Sequence, residues 1–179
     1  MSYTHAIFTE DGRFKDWIYY ISGQYELERG NWYATMASEL ETFLSNEHLV
    51  VPFDELTDGE WIVIRISQAL AALQRESVAY AIASINTMST PLYHERSPEA
   101  LLYPHMPVLK AAIWQPLNGA ASSIQKGCLV SAIASLNQAL ELAVVQVKDE
   151  RLIVIDDRSP RVKHINGGKW PLYTPETLE

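Results

Sequence analysis

The sequence predicts a mainly α fold, with α+β as the alternative: helical hairpins around a single core, with a small peripheral β element. Three observations lead there. Apolar residues recur at helical spacing over most of the chain, a helix-start signature stands at Thr57, and a stretch in the middle of the chain repeats 51 residues further on. A chain of 179 residues is of ordinary size for one domain and long enough to bury a core without disulfides. The expected organisation is therefore one domain over 1–179, with an irregular proline-rich connection at 89–107 and a loop-like tail at 158–179.

Residues 3–9 read as a short strand closed by the turn Glu10-Asp11-Gly12. Phe14, Trp17, Ile18, Ile21 and Tyr25 then follow at helical spacing. Asn31 is placed to cap a second helix, with Trp32, Met36, Leu40, Phe43 and Leu44 on one face. Residues 48–53 read as a short extended linker or an edge strand, because Pro52 cannot donate to a ladder. Thr57-Asp58-Gly59-Glu60 fits a capping box, with Leu56 and Trp61 at the positions of a hydrophobic staple, so a helix should begin at Asp58. Residues 61–66 are rich in β-branched side chains and compete as a strand. The helix is preferred because Ile62, Ile66, Ala69, Leu70 and Leu73 continue the stripe. Further helices are expected at 77–88, at 108–126 with an interruption near Pro116 and Gly119, and at 128–145; residues 144–156 could instead form a β-hairpin joining strands 3–9 and 48–53.

Laying 62–87 over 113–138 pairs Ile62 with Ile113, Ala69 with Ala120, Ala81 with Ala132 and Asn86 with Asn137, with conservative pairs such as Ile66/Leu117 and Ile85/Leu136 between them. Gly127 falls where Glu76 stands, at the bend of each expected hairpin. The run Gly127, Leu129, Ala132, Leu136, Ala139, Leu140 resembles the second helix of a tetratricopeptide repeat. The match covers about one helix, its offset departs from the roughly 34 residues of that family, and Pro116 lies in the would-be first helix. Gly23, Gly30 and Trp32 form a fainter third trace.

Composition excludes more than it identifies. The apolar share of 47% and charged share of 20% belong to a globular chain rather than a disordered one. A single cysteine, Cys128, forms no internal disulfide and is expected to be buried. The first residues lack a secretory signal pattern, and no apolar run is read as long enough to span a membrane, so the expected location is cytoplasmic and no membrane partner is expected. Residues 1–60 hold twelve acids and three bases, a local charge of −9 against −8 for the whole chain. Such a charge disfavours nucleic acid and steers a basic partner.

No stretch carries a specific catalytic or cofactor signature, so no cofactor and no metal are expected and the balance leans away from an enzyme. The residues least unsuited to a distributed catalytic site are His94, Glu95 and Asp156. Tyr93-His94-Glu95-Arg96 lacks the two-histidine helical spacing of a zinc protease, and Asp156-Asp157 follows an apolar run, a place where carboxylates can hold a metal or simply meet solvent. Arg158, Arg161, Lys163, His164 and Lys169 make the tail basic, suited to a phosphate or, more simply, to the acidic first third. The leading expectation is a non-enzymatic protein-interaction domain (an inhibitor, immunity or antitoxin-like factor, or an adaptor) that binds a basic partner through an acidic aromatic surface. Tyr19, Tyr20 and Tyr33 fall off the apolar stripes, and with Glu26, Glu28, Glu39 and Glu41 they make up that surface. The alternatives are a small enzyme and a structural subunit of an assembly, the latter with self-association of the hairpin faces.

Overall fold

Side-chain alternation, rather than helical periodicity, organises the first third of the chain. The computed structural model describes residues 2–47, 49–89 and 111–156. Strand β1 (Ser2–Phe8) turns through Thr9–Arg13 into β2 (Phe14–Ile21), which turns through Ser22-Gly23 into β3 (Gln24–Leu27), followed by the two-residue β4 (Tyr33–Ala34). Helix α1 (Ala37–Asn46) then crosses over, and β5 (Leu49–Pro52) returns beside β1 to complete an antiparallel sheet of order β4-β3-β2-β1-β5. The molecule is therefore α+β, and the expectation of a mainly α chain holds only for its later part.

The helix expected from Phe14 to Tyr25 is a β-hairpin. Trp17, Ile18, Tyr19, Tyr20 and Ile21 are the β-branched and aromatic residues that fit a pleated surface. Ser22 and Gly23 adopt positive φ values of 52° and 84°, the pair needed by a tight turn whose twist matches the strands. The second expected helix begins later than Asn31, at Ala37, because Tyr33 and Ala34 pair with β3. Gly23 and Gly30 thus belong to the sheet's connections, and the third trace of the helical repeat is not formed. The strands expected near 3–9 and 48–53 are present as β1 (Ser2–Phe8) and β5 (Leu49–Pro52), with β5 on the sheet edge where Pro52 costs no ladder bond and Phe53 opening a 3-10 turn.

One face of the sheet packs on α1. Ile7, Ile18, Ala34 and Val50 from the strands meet Leu40 and Leu44 of the helix, with Tyr25, Leu27, Trp32 and Phe43 around them. Trp32 and Phe43 stack with ring centres 4.1 Å apart. Glu39 secures the entry to α1 by accepting a hydrogen bond from the Thr35 amide at 3.0 Å.

By contact density the chain divides into two units, Met1–Leu56 together with the chain from Lys148, and Thr57–Val147. The second unit is helical: α2 (Asp58–Gln74), α3 (Val78–Ser89), α4 (Ala111–Gln125) and the start of α5 (Leu129–Asp156). The capping box at its start is formed, the Thr57 hydroxyl accepting from the Glu60 amide at 3.3 Å and the Glu60 carboxylate from the Thr57 amide at 2.9 Å. Residues 61–66 are helix, and so is 144–156, where no β-hairpin forms. Pro116 is accommodated inside α4. Leu129–Asp149 is, by length and composition alone, apolar enough to cross a membrane, so the reading that no run reaches that length does not hold; 44% of its most apolar window is buried within the protein.

The 51-residue echo is realised in backbone geometry. In the first hairpin Ser77 N–H bonds Ala72 C=O at 2.8 Å and Glu76 N–H bonds Leu73 C=O at 3.0 Å. In the second, Cys128 N–H bonds Ser123 C=O at 2.8 Å and Gly127 N–H bonds Ile124 C=O at 3.0 Å. Both turns are Schellman-type helix ends with a left-handed residue, Glu76 at φ 59° and Gly127 at φ 76°. Burial follows the same offset: Ile62/Ile113, Ile66/Leu117, Ala69/Ala120, Leu73/Ile124, Ala81/Ala132 and Ile85/Leu136 are all buried. Within the unit α3 packs against α4. Cys128, expected inside, is exposed, because it stands at the outer end of its turn where Ser77 stands in the other.

The two turns make a prediction about each other. A left-handed Glu76 carries a backbone penalty that Gly127 avoids. A Cβ at Gly127 would meet nothing within 4 Å, so a substitution there is opposed by backbone strain alone. Glu76→Gly should raise stability by up to about 1 kcal/mol and Gly127→Glu should lower it by about 1 kcal/mol, read from urea unfolding midpoints.

Candidate functional site

The face of the sheet opposite α1 carries the residues of interest. Because strand side chains alternate, Ile18 and Tyr20 point to the helix side, and Trp17 and Tyr19 to the other. The register pairs Tyr3 with Tyr19, Tyr19 with Glu26 and Glu26 with Tyr33. One transverse row therefore runs Tyr3–Tyr19–Glu26–Tyr33 over β1, β2, β3 and β4, neighbours standing about 4.8 Å apart across the strands. Glu28 follows Glu26 on the same face.

Local bonds hold the row. The Tyr3 hydroxyl donates to Glu28 Oε1 at 2.8 Å, and the Tyr3 ring stacks on Trp17 with centres 4.6 Å apart and 18° between planes. Trp17 is only 2% exposed, and it also meets Phe14 edge-on and Phe53 at a tilt, so the inner end of the face is anchored in rings. The Tyr19 phenol is raised above its ordinary range, first by partial desolvation and then by its hydrogen bond with Glu26 and the negative charges of Glu26, Glu28 and Asp16. Tyr33, at the free end of the row, is 66% exposed.

Asp16 fixes the loop that brings β4 into place. Its buried carboxylate accepts from the Trp17 amide at 2.8 Å and, through the other oxygen, from the Arg29 and Gly30 amides at 3.0 and 3.2 Å. Without those bonds the 28–30 turn would leave two amides to solvent, and the short pairing of β4 would lose its support.

The structure divides the surface residues expected from the sequence. It brings Tyr19, Glu26, Glu28 and Tyr33 together. Tyr20 is exposed but lies on the helix side of the sheet, its ring 4.9 Å from Tyr25. Glu39 and Glu41 are exposed on α1, Glu39 serving the helix entry, and so belong to that side as well. The candidate face thus leaves out three residues that the reading of an acidic aromatic surface had grouped with it. Tyr3 is the member that the sequence reading missed; the alternation along 3–9 was its only signal.

Of the residues considered for catalysis, His94 and Glu95 lie outside the described residues, as do the basic residues of the tail. Asp156 is the last residue of α5. Among the described residues no group of three or more His, Cys, Asp and Glu side chains could hold a metal. No protein-family model, no curated protein and no solved structure matches the chain.

His5 is a buried imidazole on β1. It lies between Ile18 and Pro52, and its Nδ1 is 3.0 Å from Thr4 Oγ1. Burial pushes its pKa down to about 4, against a smaller upward pull from Asp54. The folded state therefore favours the neutral ring, and the stability tied to it is complete above about pH 6.5 and is lost as pH falls towards 4. The full loss is on the order of 3 kcal/mol. Comparing urea unfolding of the wild type with His5→Gln at pH 7 and pH 4 should show this: the wild type's advantage should shrink over that window. An advantage independent of pH would contradict the assignment.

Proposed function

We propose that this chain is a non-enzymatic protein-interaction module, of the kind that inhibits, neutralises or adapts a partner, and that it binds a basic protein surface through the Tyr3–Tyr19–Glu26–Tyr33 row and Glu28. The observation that supports the reading most is the gathering of these residues from four strands onto one face. The exposed Tyr33 and the half-buried Tyr3 and Tyr19 supply ring contact area at low entropic cost, and the carboxylates beside them select a positive partner. Neither Glu26 nor Glu28 takes part in the ion pairs Arg13–Asp11 and Lys15–Glu47 found among the described residues of this unit. The excess of acids in residues 1–60 adds long-range attraction of the same sign.

A second reading, a structural subunit of an assembly, draws support from the duplicated hairpin. Stacked helical hairpins bury their faces against neighbours, and a terminal hairpin offers such a face to another copy. Light scattering over a hundredfold range of concentration separates the two: a mass that rises with concentration favours the subunit, and a constant monomer mass favours the binding module.

Charge reversal tests the binding face, with an eight-residue peptide of alternating arginine and glycine as the probe. Glu26→Lys/Glu28→Lys should weaken binding by about tenfold or more, whereas Glu39→Lys/Glu41→Lys, equal in net charge, should cost about threefold or less. Equal losses in the two variants would mean that net charge, and not this face, attracts the peptide.

A further inference from the structure

We infer that the row selects arginine over lysine, with the guanidinium of a partner's arginine seated over Glu26 between the rings of Tyr19 and Tyr33. The inference rests on the proposed binding face and deepens it by naming the group that is read. Glu26 stands in direct register with a tyrosine on each side, Tyr19 on β2 and Tyr33 on β4. Two strand spacings separate the tyrosine backbones, about 9.6 Å, and Glu26 stands between them, so a partner's group that reaches its carboxylate comes within reach of both rings.

The chemistry of that space favours a flat cation. A guanidinium is planar and weakly hydrated, so it can lie against a tyrosine face while its in-plane N–H groups reach a carboxylate. An ammonium is compact and strongly hydrated, and it would have to shed water to enter between two rings. Tyr33 is two-thirds exposed, which leaves ring surface for such stacking, and strand pairing sets Tyr19 directly beside Glu26. Glu28, oriented by the Tyr3 hydroxyl, places a second carboxylate just beyond the end of β3. The fold supplies the rigidity: Trp17 anchors Tyr3, and Asp16 ties down the loop that carries the chain from β3 to β4.

The test compares two peptides of eight residues, one alternating arginine with glycine and one alternating lysine with glycine, titrated into the full chain by calorimetry. The arginine peptide should bind at least about fivefold tighter. Tyr33→Ala and Glu26→Gln should each bring that ratio close to one, Tyr33→Phe should keep it because the ring remains, and Tyr20→Ala should leave it unchanged because Tyr20 lies on the other face. An amide NMR spectrum of each variant establishes that the sheet is intact. Equal affinity for the two peptides, or a preference that survives Tyr33→Ala, overturns the arginine inference while leaving the basic-partner reading in place. Failure of both peptides to bind overturns both.

Discussion

The register of the β1–β2–β3–β4 meander is the constraint on which the rest of the first unit depends. Side chains alternate with a period of two, so a slip of one residue would carry every one of them to the other face. Ile18, now buried under α1, would face outward, and Tyr19 would be driven under the helix. Two features oppose such a slip. The turn at Ser22-Gly23 allows one pairing geometry, Tyr20 with Tyr25 and Ile21 with Gln24, and the Asp16 carboxylate binds the amides of Arg29 and Gly30 at one place only. The apolar cluster of Ile7, Ile18, Val50, Leu40 and Leu44 supplies the energy; fully buried side chains of this size contribute roughly 1.5–3 kcal/mol each. The acidic aromatic row is the other side of the same register. Its geometry follows from what the helix buries.

The helical unit rests on a different regularity. Its two hairpins reverse direction through turns with the same hydrogen bonds, and matched positions are buried to the same degree. A glycine stands at one left-handed position and a glutamate at the other, so the turn geometry is not a product of glycine alone. The surrounding apolar stripes impose it. Small residues at Ala69/Ala120 and Ala81/Ala132 lie at the buried positions where helices approach one another, with the larger Ile66/Leu117 and Ile85/Leu136 beside them.

Legibility in the sequence followed the strength of local signals. The helix start at Thr57 was readable because a capping box is a bond between residues three apart, complete within the chain segment that specifies it. The 51-residue echo was readable because period and burial coincide over two dozen residues. The β2–β3 hairpin was misread for a physical reason. Trp17, Ile18, Ile21 and Tyr25 satisfy helical spacing, and over eight residues the two periods overlap enough to confuse them. The decisive signal was Ser22-Gly23 between runs of β-branched and aromatic residues, a turn that terminates a strand and has no place inside a helix. Residues 144–156 failed the other way, since valines and isoleucines that favour strands on their own are carried along by a helix already packed upstream.

The sequence by itself determined the helical hairpins, the edge position of Pro52, the acidity of the first sixty residues and the presence of tyrosines outside the apolar pattern. Each of these is a property of neighbours in the chain or of composition. Tertiary structure alone decided which of those tyrosines and carboxylates share a surface. Tyr3 and Glu28 are twenty-five positions apart yet hydrogen-bonded. Glu26 lies on the sheet face opposite the one that packs on α1, the helix that carries the like-charged Glu39. Pairing between strands fixes such relations through backbone bonds that no local pattern encodes, and for that reason the acidic aromatic row became visible only when the register was known.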